Sequence, residues 1–190
     1  MKTFFQALIP ALWLVWLAFW VLAARKAKES ARQEGTGSRL LHHPPDAAAG
    51  ALLASPHMLG TRMEGRFHAH TFGWFLVGLG LVVLGLGFSA AARMWLGRNW
   101  SGRVTLKKDH ELIQRGPYAL VRHPIYTGLL LALAGTIVAI DRWRALVALP
   151  LLIAGIVYKI GVEERFMRAE FGDAYERYRG RVKALVPFVV

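Results

Sequence analysis

The chain has 190 residues, 55% hydrophobic and only 19% charged, a balance too apolar for an ordinary soluble domain, so lipid is the expected solvent for most of it. Its net charge of +12 sits in short clusters beside apolar runs, where lipid headgroups and the positive-inside rule explain it; no basic patch carries a nucleic-acid reading motif, so nucleic acid is not expected as a partner. With no cysteine, disulfides, thiolate nucleophiles and Cys-ligated metals are excluded.

The first apolar run, Phe4 to Ala24, matches the roughly 30 Å hydrocarbon core and lacks a small-residue cleavage site, so it reads as a retained anchor. Arg25, Lys26, Lys28, Arg32 and Arg39 follow and are expected on the cytoplasmic side, which puts the N-terminus outside. A second run, Thr71 to Ala92, carries Gly78, Gly80, Gly85 and Gly87, small residues that let helices approach closely in lipid. It too is followed by positive charge, at Arg93, Arg98, Arg103, Lys107 and Lys108. Two successive spans cannot both end in the cytoplasm. The weak segment from Leu40 to Leu59, with His42, His43, Pro44, Pro45, Asp46 and Pro56, is therefore expected to cross between them, a re-entrant or interfacial segment being the alternative.

Ile125 to Ile140 and Ala145 to Gly161 are joined by Asp141, Arg142, Trp143 and Arg144, a link so short that it predicts an antiparallel hairpin. Glu164 to Arg181 is expected as an amphipathic helix at the interface. The expected fold is an all-α integral membrane protein of about five transmembrane helices, one of them weak, with a C-terminal helical hairpin and a cytoplasmic amphipathic tail helix. Residues 1–92 are expected to form the N-terminal membrane helices and 93–190 the region where any cofactor binding and catalysis would occur, within one multi-pass membrane domain whose working face is expected to be cytoplasmic.

The most informative stretch runs from Gly116 through Pro117, Tyr118, Val121, Arg122, His123, Pro124 and Tyr126 to Gly128, from a turn dipeptide directly into a membrane helix. Pro124 fits the first turn, where it sacrifices no intrahelical bond. The first-turn amides, with Arg122 and His123 beside them, suit an anionic group, and Tyr126 shares a helix face with His123. The hairpin returns Lys159, Glu163 and Glu164 to the same level, so opposite charges meet on adjacent helices. A zwitterionic cofactor such as S-adenosylmethionine fits that arrangement: its carboxylate suits Arg, His or helix amides, and its ammonium and sulfonium suit carboxylates or aromatic faces. The bland reading stands beside it, since Arg and His at a membrane surface often only anchor a helix and a Glu pair at a helix exit is often just solvated. His42-His43 and His68-x-His70 lack acidic partners at ligand spacing, so no metal site is expected.

The RHPxYxG string at Arg122 to Gly128, the Glu163-Glu164 pair, FGxxYxxY at Phe171 to Tyr178 and Val-x-x-x-x-Pro-Phe at Val182 to Phe188 together resemble the isoprenylcysteine carboxyl methyltransferase family, over about the last 90 residues. The resemblance implies methyl transfer from S-adenosylmethionine to a hydrophobic or lipid-linked acceptor, with a carboxylate as the receiving group. It implies a cofactor site around Gly116, Tyr118, Val121, Arg122, His123, Pro124, Tyr126, Gly128, Glu163 and Glu164. Arg93, Asn99 and Lys159 are the cations and amide available for the acceptor carboxylate, with Glu164 counted among the catalytic groups; their bland role is interfacial anchoring. Membrane reductases that use NADPH on sterol-type substrates resemble the same string, but they look like longer chains with an extra basic stretch before the acidic pair, where this chain has only Lys159. A non-enzymatic membrane scaffold is the third reading, and it would be expected to carry a broken motif.

Overall fold

The computed structural model describes residues 2–24, 30–33, 64–68, 71–97, 105–107 and 111–189. The expected crossing at Leu40 to Leu59 lies outside the described residues, as does Asn99. In chain order the elements are α1 (Lys2–Ala24), β1 (Ser30–Gln33), α2 (Phe72–Leu96), β2 (Thr105–Lys107), α3 (Pro117–Leu120), α4 (Pro124–Ile140), α5 (Trp143–Phe171) and α6 (Asp173–Arg181).

Helices α2 and α5 are each long and apolar enough to cross a membrane. Leu14, Val15, Leu76, Leu84, Ile153 and Val157 face outward, a surface that lipid accommodates and water penalises. The fold is that of a helical integral membrane protein. Its strands are a short antiparallel pair, with Ser30 opposite Lys107 and Gln33 opposite Thr105. This pair departs from the all-helical expectation: it joins the basic stretches that follow α1 and α2, and backbone groups outside a helix need partners of their own.

The packing centre is α2 against α4. A Cβ on Gly85 would lie 2.5 Å from the Gly128 carbonyl oxygen, and one on Gly78 2.6 Å from that of Gly135, so the two backbones meet where only hydrogen fits. Gly80 and Gly87, expected to share this role, have open space beside them because they fall on the other side of the helix. Helix α1 joins through Ile9, which packs with Val82, Leu86, Ala132 and Ala139, and through Trp13, whose indole N–H donates to the Thr136 hydroxyl at 3.1 Å. Arg93, near the end of α2, donates to the Ala23 carbonyl at 2.7 Å and to the Gly97 carbonyl at 2.7 Å. Helices α1 and α2 therefore end at one level, as the charge pattern requires.

The α4–α5 hairpin is antiparallel, as expected, and turns at Asp141, which is fully buried and left-handed at φ 53°. Its carboxylate accepts the backbone N–H groups of Phe67 at 3.2 Å and His68 at 3.0 Å. Arg144 meets Glu64 at 2.9 Å, and the Trp143 amide donates to the Gly65 carbonyl at 3.2 Å. The segment ahead of α2 is thus clasped to the hairpin turn.

The tail departs from expectation. Helix α5 does not stop at the acidic pair but runs unbroken to Phe171, because no glycine or proline interrupts residues 162–171. Gly172, at φ 48°, ends it by donating its N–H to the Arg168 carbonyl at 3.0 Å. The tail helix is therefore α6, from Asp173, not a helix from Glu164. Its apolar side, Tyr175 and Tyr178, is buried against the protein, while Asp173, Glu176, Arg177 and Arg179 face outward. The helix therefore turns its apolar side toward the protein.

Candidate active site

Residues 121–123 link α3 to α4, with Val121 extended, and are held by the stretch that follows α6. Val121 forms a parallel bridge with Lys183, the Arg122 amide donates to the Lys183 carbonyl at 2.8 Å, and the His123 amide donates to the Ala184 carbonyl at 3.0 Å. The Thr127 hydroxyl continues the register by donating to the Leu185 carbonyl at 2.7 Å. The tail therefore travels beside the chain as the chain enters α4.

On this frame the side chains converge as the sequence indicated. His123 lies between two carboxylates, its Nδ1 3.3 Å from Glu163 and its Nε2 3.4 Å from Glu164. Burial alone would lower its pKa, but hydrogen bonds to Glu163 and then Glu164, together with their charges, outweigh that and hold it above the ordinary value. The imidazolium is thus the favoured form between two anions. The Tyr126 hydroxyl donates to Glu163, and its ring stacks near His123 with centroids 6.0 Å apart.

Glu164 is a hub. It accepts from Arg122 Nη2 at 2.6 Å and Nε at 3.0 Å, from Arg168 at 3.2 Å, and faces Arg179 at 3.3 Å. Arg122 also donates through Nη1 to the carbonyls of Val182 and Arg179. Its guanidinium consequently fastens α5 and the tail to the entrance of α4. Arg168 and Arg179 extend the network to Glu176 at 2.9 Å and 3.2 Å.

Glu163 differs from its neighbour: its side chain is 31% exposed and is held by two other side chains, His123 and Tyr126. An acid fixed in place yet partly open is suited to receive a cationic group. Tyr178 donates to the Tyr118 carbonyl at 2.6 Å, and burial pushes its pKa up to about 12, so it serves as a neutral donor. Burial first, then the charges of Glu163 and Tyr178, push Tyr118 up as well. Beyond Arg122, a groove of about 380 Å³ is lined by Arg122, Glu176, Arg179, Gly180, Lys183 and Ala184.

Other expected site residues have different surroundings. Gly116, at φ 61°, lies flat against Trp95, where an added Cβ would sit 2.6 Å from the indole. Gly128 is in the α2 interface, Val121 is fully buried, and Pro124 is buried at the first position of α4. Arg93 is buried between the ends of α1 and α2, and Lys159 is half-buried one turn before Glu163. Sequence reasoning missed Arg168, Arg179 and Glu176. Arg168 was within reach of the i, i+4 rule from Glu164, whereas Arg179 depends on how α6 folds back.

The sequence model of the isoprenylcysteine carboxyl methyltransferase (ICMT) family matches residues 76–169. A probable protein-S-isoprenylcysteine O-methyltransferase of Oryza sativa subsp. indica is 36% identical over 121 residues, covering 61% of this chain and 63% of that protein. Methanethiol S-methyltransferase 2 of Bradyrhizobium diazoefficiens is 44% identical over 70 residues, or 37% of this chain and 26% of that protein. The chain therefore spans less than two thirds of the length of these relatives. Among solved structures, the eukaryotic intramembrane Ras methyltransferase ICMT shares the fold with a TM-score of 0.53 at 21% identity, covering 82% of this chain and 54% of that one.

Proposed function

We propose that this chain, whose residues 76–169 match the model of the isoprenylcysteine carboxyl methyltransferase family, moves the methyl group of S-adenosylmethionine onto a carboxylate of a hydrophobic or lipid-linked acceptor. The observation that carries the reading is Glu163, oriented by His123 and Tyr126 yet still partly open, at the entrance of α4. The residues present fit the cofactor. Glu163 and the Tyr126 ring offer partners for its ammonium and sulfonium, and the α4 N-terminus offers amides for its carboxylate. Arg122 acts there through its field, because its donors already lie on Glu164 and on tail carbonyls.

When bound, the cofactor supplies an electrophilic methyl group on its sulfonium. An ionised acceptor carboxylate needs no general base, so the chain's contribution is placement and exclusion of water. His123 fixes both glutamates, and Glu164 locks the tail against α5. Lys159, one turn before Glu163 on α5, is the residue we assign to the acceptor carboxylate. The cytoplasmic orientation belongs to the same proposal, since the basic ends of α1 and α2 share a level.

The likeness to a methanethiol S-methyltransferase supports a second reading for the acceptor, a thiolate. Both use a soft or anionic nucleophile and the same cofactor cradle. The test is transfer of labelled methyl from S-adenosylmethionine by the full chain in detergent, offered a prenylated cysteine with a free carboxylate, the same compound amidated, and an alkane thiol. Label on the first alone supports the proposal, label on the thiol alone selects the second reading, and NADPH oxidation with a sterol-like alkene and no methyl transfer contradicts both.

A further inference from the structure

The stretch after α6 does more than brace Arg122. It pairs in parallel with residues 121–123 and is held by the Thr127 hydroxyl, so it runs in the direction in which the chain enters α4. Along that direction its character changes. Arg181, the last residue of α6, which donates to the Gln114 side chain at 3.0 Å, and Lys183 are exposed first, and then Val186, Phe188 and Val189 are exposed. Cations above apolar side chains is the order of a segment seated at a lipid surface, where ammonium and guanidinium groups meet headgroup phosphates and apolar side chains enter the acyl boundary.

Phe188 adds a separate observation. It is 95% exposed and sits at φ 66°, in a turn closed by the Val189 amide donating to the Val186 carbonyl at 3.1 Å. Glycine or asparagine ordinarily fills such a left-handed turn position, and a bulky ring there is unfavourable. Neither burial nor packing within the chain offsets the strain, so a medium outside the chain is the natural source of compensation.

We propose that residues 181–189 form a lipid-surface foot, in which Val186, Phe188 and Val189 enter the leaflet that α4 enters while Arg181 and Lys183 hold the phosphates of anionic phospholipids. The foot links lipid to the site through main-chain bonds, since Lys183 and Ala184 carry the Arg122 and His123 amides. This interaction is independent of methyl transfer.

The chain has no cysteine, so Phe188→Cys creates a unique labelling site. The full-length variant, carrying an environment-sensitive fluorophore, is reconstituted into phosphatidylcholine nanodiscs with or without phosphatidylglycerol and with nitroxides on the acyl chains. The expected result is blue-shifted emission quenched by the nitroxides, more strongly with phosphatidylglycerol. Lys183→Gln or Arg181→Gln should weaken that lipid preference by about fivefold each. Emission typical of water in every disc overturns the proposal, and so does quenching indifferent to phosphatidylglycerol and to both substitutions. Reversal of the phosphatidylglycerol effect by inorganic phosphate at constant ionic strength would assign the cations to a soluble anion, and would equally overturn it.

Discussion

The two ends of the α4–α5 hairpin both bury charge, but they bury it differently. At the turn, the Asp141 carboxylate is sealed and accepts main-chain amides, and Arg144 meets a glutamate of the clasped segment. At the open end, Glu163 is held only by side chains among the described residues and keeps nearly a third of its surface exposed. A carboxylate bonded to backbone closes a structure, because any ligand would have to displace main-chain partners. A carboxylate bonded to movable side chains and partly open can exchange or add a partner. Glu164 lies between these cases, since it faces the site through His123 while tying Arg122, Arg168 and Arg179 together.

That contrast yields graded expectations. The largest effect belongs to the turn: Asp141→Ala leaves the Phe67 and His68 amides, and the Arg66 guanidinium 3.9 Å away, without their anion, with an expected loss of about 3 to 5 kcal/mol read as a fall in melting temperature in detergent. The S-adenosylhomocysteine affinity of the protein that remains folded should not change. Next is Glu163→Gln, which should melt close to the parent yet bind S-adenosylhomocysteine about 10- to 100-fold more weakly, as expected for loss of one charged hydrogen bond. If the two substitutions behaved alike, the contrast between the ends would be lost.

A smaller effect is expected from pH. His123 has its folded pKa raised, so its stabilising contribution is complete below about pH 6.5 and is lost as pH rises through the folded value. Melting temperature should therefore decline on the alkaline side, a slope that His123→Gln flattens and Asp141→Ala retains. The smallest effect is expected midway along the bundle, where Trp13→Phe removes the bond to Thr136 at about 0.6 kcal/mol and should leave cofactor affinity at the open end unchanged.

The open end was largely legible in the sequence. A short link forces the hairpin, and the hairpin length then brings Glu163 and Glu164 back to Arg122 and His123. Pro124 and the glycine pattern of the second run were also readable from local rules, although only Gly78 and Gly85 face α4. What escaped was non-local. The clasp on Asp141 depends on residues more than seventy positions earlier, and nothing at Asp141 itself announces them. Arg122 looked free for a ligand because its partners, the Val182 and Arg179 carbonyls, become neighbours only when α6 folds back. Gly116 also has a packing role that the sequence did not show, since its φ of 61° and the Trp95 ring against it leave no room for a side chain.

The measurement that bears most directly on the site is calorimetric titration of the full chain in detergent with S-adenosylhomocysteine, run in parallel on Glu163→Gln. Saturable binding by the parent is expected, with a loss of at least about tenfold in a variant whose melting temperature is preserved. Absence of binding by the folded parent, or equal affinity in the two proteins, would contradict it.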